Sequence, residues 1–355
     1  MKEKRNGIIS LWKFLFAIVI VFYHGARFYD KNSNPFFYGG YIAVEFFFVV
    51  SGFYLAKKAL NNFEESSTKE MYKYLIKSIK KLAPYILISF IFALLIELKF
   101  NSLKKHDLIN SIYSLLLLRQ TGIRAPSFFG YTWYIGVMFI SIIILYPLFH
   151  KYKEKFIKYI SILIIMIGVG YMSQNYGTLN LYATEWNGFF FGGTLRGIVE
   201  MNIGAVIYLL SKYINNFEFT RAGNIILTIV GEFLMIFVLI IINYATNPTN
   251  YDFSMLLFIS ISILIFSLGK GLEYKLLSNN LFYYLEKLSI PLYLNHYFLI
   301  TIINLAEPFS TINPVNQSLL AVIISIIFSI IEMKLIDSLN KYNITYHLKK
   351  VFIKC

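Results

Sequence analysis

Long apolar runs recur along the chain, separated by short polar segments rich in lysine. A membrane-crossing helix needs about 20 mostly apolar residues. By that measure the pattern predicts ten spans, approximately at 7–25, 39–57, 80–98, 131–149, 157–173, 194–211, 223–244, 253–270, 287–306 and 317–337. Residues 105–118 form one more apolar run, but it is short. Lys104, Lys105 and Asp107 bound it on one side and Arg119 on the other, which predicts a helix lying in the membrane interface. The expected fold class is therefore all-α, a polytopic membrane helix bundle with ten transmembrane helices. No repeat of fixed period, low-complexity tract or soluble domain interrupts the pattern.

Composition agrees with this picture. Apolar types make up 57% of the 355 residues and charged types 15%, against about 25% charged in soluble domains. A net charge of +14 raises the question of nucleic acid. The placement of the charge argues against it, because Lys and Arg gather at span ends. With ten spans and both termini cytoplasmic, 24 of the 33 Lys and Arg fall on the cytoplasmic side. They include Lys2, Lys4 and Arg5, a cluster from Lys57 to Lys81, Lys151 to Lys158, Lys212, Arg221, Lys270, Lys275, Lys287 and Lys334 to Lys354. The outer segments keep only Arg27, Lys31, Lys99, Lys104, Lys105, Arg119 and Arg124. Making 105–118 an eleventh span would put four later basic clusters outside, against the positive-inside rule. The basic start and apolar run resemble a signal peptide, but no Ala-x-Ala-type site follows, so an uncleaved first helix is expected. The single Cys355 allows neither an intramolecular disulfide nor a Cys-based metal site.

Candidate chemistry starts in the first span, where Lys13 and His24 are the ionisable groups. Eleven residues of helix separate them, which is about 16 Å along the axis with only about 20° between their directions. They share one face, Lys13 toward the cytoplasm and His24 toward the outside. Ionisable groups inside membrane helices usually face a bundle interior or a wet cavity, although a Lys can also snorkel to the interface. The second span carries Glu45 in its outer half, at a depth near that of His24. A carboxylate there could orient the imidazole and sharpen it as a base. The alternative is a helix-packing notch with Glu45 paired to a nearby cation. Ser51 and Gly52 offer a small surface where backbone or ligand can come close.

Other polar groups carry weaker signals. Arg196 and Glu200 are spaced i,i+4 and could pair with each other or face a substrate. Glu232 sits mid-span with no partner evident in the sequence. His296 follows Pro291 inside the ninth span and reads first as a satisfied core histidine. His106, His150 and His347 are expected at interfaces or in solvent. The outer loop 173–193, with Tyr176, Tyr182, Glu185, Trp186 and Asn187, suits a sugar ring but fits an interfacial aromatic belt better.

Taken together, Lys13-x10-His24 and Phe47-Phe48-Val-Val-Ser51-Gly52-Phe53 resemble the opening of acyltransferase family 3, membrane-bound O-acyltransferases of which many bacterial members acylate surface sugars. Lys80-Lys81 with Pro84, Thr132-Trp133-Tyr134 with Pro147, Arg196-x7-Gly204 and Ser289-Ile-Pro-Leu-Tyr293-Leu-Asn-His296 are similar to later motifs of that family, in the same order. The family's first-span Arg is Lys13 here, a small residue usually Gly is Ala43, and a Glu pair of one branch is replaced by Met138 and Phe139.

The resemblance implies one integral-membrane acyltransferase domain over 1–355 with no fused extracytoplasmic domain, in the plasma membrane. It implies acetyl-CoA or another short acyl-CoA as donor, no permanently bound cofactor and no metal. The acceptor it implies is a hydroxyl of a surface polysaccharide or lipid-linked sugar. Carried onto these residues, His24 would be the general base, with Glu45 and Lys13 completing the catalytic set. Phe47, Phe48, Ser51, Gly52, Lys80 and Lys81 would hold the donor, and Arg196, Trp133, Tyr134 and His296 the acceptor. A transporter or flippase for a lipid-linked sugar is the rival reading. Internal symmetry would favour that rival, and none is detectable.

Overall fold

The protein is described by a computed structural model covering residues 6–29, 36–62, 66–100, 105–123, 128–181, 186–245, 249 and 251–341. Lys2, Lys4, Arg5, Lys31, Lys104, Arg124, Tyr182, Glu185, His347 and Cys355 lie outside the described residues. Among the described residues the chain is helical, with one isolated bridge between Trp186 and Phe191. The helices are α1 (Gly7–His24), α2 (Ala43–Leu60), α3 (Ser67–Phe100), α4 (Lys105–Leu115), α5 (Trp133–Lys155), α6 (Ile162–Tyr176), α7 (Gly192–Ile214), α8 (Arg221–Tyr244), α9 (Tyr251–Ser267), α10 (Leu272–Leu277), α11 (Asn280–Leu305) and α12 (Pro314–Lys341).

Among the described residues, eight segments are long and apolar enough to cross a membrane. Two differences separate this count from the ten spans expected. The fourth and fifth expected spans lie in one apolar stretch of 47 residues, Gly130–Tyr176. A straight helix of that length would reach about 70 Å, more than twice the roughly 30 Å hydrocarbon core. The stretch breaks at Lys153, whose backbone is non-helical at φ 51° and ψ −138°, and both arms pack against α7. Lys153 Nζ donates to the carbonyls of Ala59 (3.1 Å) and Asn62 (2.6 Å) at the C-terminal end of α2. A cation suits the negative end of a helix, so the side chain anchors a turn that no Gly marks. The eighth expected span corresponds to α9, which at 17 residues is shorter than the others.

The short apolar run after Lys104 forms α4, of only 11 residues. The 34-residue α3 begins well before its expected span and runs through Pro84, carrying Lys69, Lys73 and Lys77 on its early turns. Helix α11 likewise runs unbroken through Pro291. His150, expected in solvent, is buried and stacks on Tyr146 with ring centroids 6.1 Å apart. His106 is exposed, as expected for an interfacial position. Glu232 is half-buried on α8.

Burial sorts the helices into centre and rim. In α2, 78% of the apolar window is buried, against 22% in α8, so α2 occupies the centre and α8 faces outward. Two parallel pairs build that centre. Helix α2 runs beside α7, where Gly52 meets Met201 and Gly204 meets Val49 and Phe53. A Cβ on Gly52 would stand 2.1 Å from the Met201 carbonyl oxygen, and one on Gly204 2.0 Å from that of Val49. Small residues let membrane helices approach this closely. Helix α1 runs beside α11, and Gly7 at its start packs on the Leu277 carbonyl just before α11 begins.

Candidate active site

The α1–α11 pair carries the ionisable groups in two rungs. At the first rung Lys13 Nζ lies 2.5 Å from Glu286 Oε1, and Ser10 Oγ donates to Glu286 Oε2 at 2.8 Å. Both charged side chains are partly open, 17% and 24% exposed, so solvent or a ligand can reach the pair. The Lys13 ammonium also sits 5.3 Å from the centre of the Tyr54 ring. At the second rung the His24 and His296 rings lie 4.8 Å apart, tilted by 32°. The rungs match because Lys13 to His24 and Glu286 to His296 span nearly the same length of helix. Tyr23 and Tyr297 flank His24, with centroids at 5.1 and 6.0 Å. His296 is fully buried, and its Nδ1 donates to the Tyr293 carbonyl at 2.5 Å. A carbonyl can only accept, so Nδ1 carries hydrogen and Nε2 is the nitrogen left to exchange a proton.

Two cavities meet at the first rung. The wider one, a vestibule of about 570 Å³, is lined by polar and basic groups that include Lys57, Lys81, Asn215 and Lys287. The inner chamber, about 280 Å³, is mostly apolar and is lined by Ile20, Phe47, Ser51, Tyr134, Met138 and Tyr293, among others. Lys13, Tyr54, Lys81 and Glu286 belong to both linings. The chamber thus reaches Ile20 on α1 and Tyr293 on α11, each about one turn before a histidine. Ser51 Oγ and Tyr134 Oη face each other across 3.4 Å. The Tyr134 and Tyr293 rings, both in the lining, lie 5.9 Å apart, and Tyr293 touches His296 at 5.8 Å.

Glu45 pairs with Arg196 of α7. It is fully buried, its Oε2 accepting from Arg196 Nε at 2.9 Å and its Oε1 from Arg196 Nη2. Arg196 also donates to the carbonyls of Leu181 (3.2 Å) and Tyr41 (3.0 Å), and its Nε lies 3.4 Å from Glu200 Oε1. The Trp133 ring covers the guanidinium at 5.8 Å. The network continues through Tyr41, whose hydroxyl donates to Asp252, and Asp252 also accepts from Thr178 Oγ1 and the Leu179 amide. This buried cluster ties α2, α7 and α9 to the loop after α6.

The sequence-predicted residues therefore divide. Lys13, Phe47, Ser51, Lys81 and Tyr134 line the cavities, while His24 and His296 pair one turn beyond. Arg196 and Trp133, expected to bind acceptor, lie in the buried cluster, Arg196 only 1% exposed. Phe48 packs on Tyr134 at 4.6 Å and Gly52 on the backbone of α7, and neither belongs to the lining of these two cavities. Lys80 and Lys81 are both exposed, but only Lys81 belongs to the cavity linings. Between α6 and α7, Tyr176 donates to Asn187 and Trp186 packs on Phe191 at 5.1 Å. Among the described residues, no group of three or more His, Cys, Asp or Glu is placed to hold a metal ion.

Sequence reasoning missed Glu286, Tyr293 as a lining residue, Tyr54 and Asp252. For Glu286 a signal existed: an acidic residue ten positions before His296 echoes the Lys13-to-His24 spacing.

No curated protein and no solved structure matches the chain. A family model described as Acyltransferase domain matches residues 6–332. That stretch holds both rungs, both cavities and the buried cluster, and the chain accordingly belongs to acyltransferase family 3, whose members transfer acyl groups.

Proposed function

We propose that this membrane acyltransferase is an O-acyltransferase. It moves an acetyl or other short acyl group from cytoplasmic acyl-CoA to a hydroxyl of a surface polysaccharide or its lipid-linked precursor. The observation that carries this reading is the joined pair of cavities, basic at the vestibule and apolar within, pointing along α1 toward His24. Lys57, Lys81 and Lys287 suit the phosphates of CoA as point charges. The narrow apolar chamber suits the pantetheine arm, with Phe47 and Ser51 against it. Lys13 would sit beside the donor at the junction of the two cavities. His24, partly open, would take the proton of the acceptor hydroxyl. The predominance of Lys and Arg on segments of one expected side supports a vestibule that opens to the cytoplasm, with both termini on that side.

The test is mass spectrometry of the surface polysaccharide from a deletion strain and from the same strain carrying the gene. Loss of one acyl substituent, with glycan export intact, is the expected result and identifies both the group and its sugar. Loss of export itself would support the flippase reading instead.

A further inference from the structure

We infer that His296 is a second catalytic group, acting as general acid toward the departing sulfur while His24 acts on the acceptor hydroxyl. This rests on the acyl-transfer reading above. The two rings lie side by side at 4.8 Å, but their surroundings differ. His24 ends α1 and is partly open, whereas His296 is fully buried among Tyr131, Tyr293 and Tyr297. Tyr293 both lines the inner chamber and touches His296. The chamber reaches both helices, at Ile20 and at Tyr293, and the contact with Tyr293 puts His296 on the chamber side, while His24 is the partly open ring. The Tyr293 carbonyl holds hydrogen on His296 Nδ1, which leaves Nε2 to exchange the second proton.

The step balances as follows. Neutral His24 takes the hydroxyl proton as the acceptor oxygen bonds to the thioester carbonyl carbon. The carbon–sulfur bond breaks, and imidazolium His296 gives its Nε2 proton to the sulfur, which leaves as a thiol. His24 is now the imidazolium and His296 is neutral. The proton passes from one ring to the other, restoring the starting state with no net gain or loss.

The test uses leaving groups of different acidity. A more acidic thiol departs faster and has less need of a proton. Purified full-length His296→Gln and His24→Gln proteins are each assayed with acetyl-CoA and with S-phenyl thioacetate. With acetyl-CoA both should lose about 10²- to 10⁴-fold, the usual contribution of a proton-transfer group. With the phenyl thioester His296→Gln should recover most of its rate and His24→Gln should not. Equal loss with both donors in His296→Gln, or no loss at all, would overturn the role. If His296→Gln is not monodisperse in detergent, the wild type decides. Compared at saturating donor, so that binding of the CoA phosphates drops out, its kcat values with the two thioesters should be similar, because its sulfur leaves already protonated, and a far higher kcat with the phenyl thioester contradicts the inference. A wild type that turns over neither thioester overturns the acyl-transfer reading and this role with it.

Discussion

Glu45 and Arg196 are locked together in the bundle interior, both carboxylate oxygens accepting from one guanidinium that is 1% exposed. The bond joins α2 to α7. Breaking one side of a buried ion pair leaves an uncompensated charge, at a cost of about 3–5 kcal/mol. Glu45→Ala and Arg196→Ala should each lower the unfolding temperature in detergent and reduce the yield of monodisperse protein. Arg196→Lys should fail to restore it, since an ammonium lacks the planar fork and cannot serve Glu45, Tyr41 and Leu181 together. Thermal unfolding followed by size-exclusion chromatography reads this directly.

The two adjacent lysines of α3 make a sharper comparison. Lys81 lines both cavities and Lys80 lines neither. Lys81→Ala should raise the KM for acyl-CoA by about tenfold, equivalent to roughly 1.4 kcal/mol, and the effect should shrink as salt screens the vestibule. Lys80→Ala should leave KM near the wild-type value. Equal effects from the two variants would remove the vestibule from the donor path.

The first rung tests the junction of the cavities. Lys13 is held at 2.5 Å by Glu286 and faces Tyr54. Glu286→Gln keeps the shape but releases the ammonium from its anchor, so it should change donor KM more than kcat. Lys13→Ala should lower kcat/KM by at least tenfold, and Lys13→Arg, which keeps the charge, should retain most of the activity. Steady-state kinetics with acyl-CoA as the varied substrate separates these outcomes.

At the α2–α7 crossing the expectation is structural. A methyl group on Gly52 or Gly204 would fall about 2 Å from backbone of the facing helix and must push the helices apart. Overpacking of this kind costs about 1–3 kcal/mol. Gly52→Ala and Gly204→Ala should therefore unfold at lower temperature, with the donor KM of the folded fraction unchanged. A KM shift without loss of stability would return Gly52 to the donor path.

Much of this arrangement was legible in the sequence. Apolar run length located the long helices, and the helical period placed Lys13 and His24 on one face. What stayed hidden was partnership, because pairing between distant helices leaves no local trace. Glu45 and Arg196 are 151 positions apart, and Lys13 and Glu286 are 273 apart. The notch alternative for Glu45 called for a nearby cation, and Arg196 supplies it. The Lys153 turn was invisible for another reason. Its backbone conformation is one that Gly would normally supply, and a tertiary contact with the end of α2 stabilises it instead. Ser51 and Gly52 show how adjacent residues of one motif separate by helix face: one meets the cavity and the other the neighbouring helix.

His24 is the group proposed to activate the acceptor. The most direct measurement reconstitutes wild-type and His24→Ala proteins in liposomes. Labelled acetyl-CoA is supplied, with the purified surface glycan of the deletion strain as acceptor, and acylated glycan is counted after both proteins are shown to be folded and inserted. The expected result is labelled glycan from the wild type and a loss of about 10²-fold or more in His24→Ala. A folded His24→Ala protein that labels the glycan at the wild-type rate would contradict the mechanism.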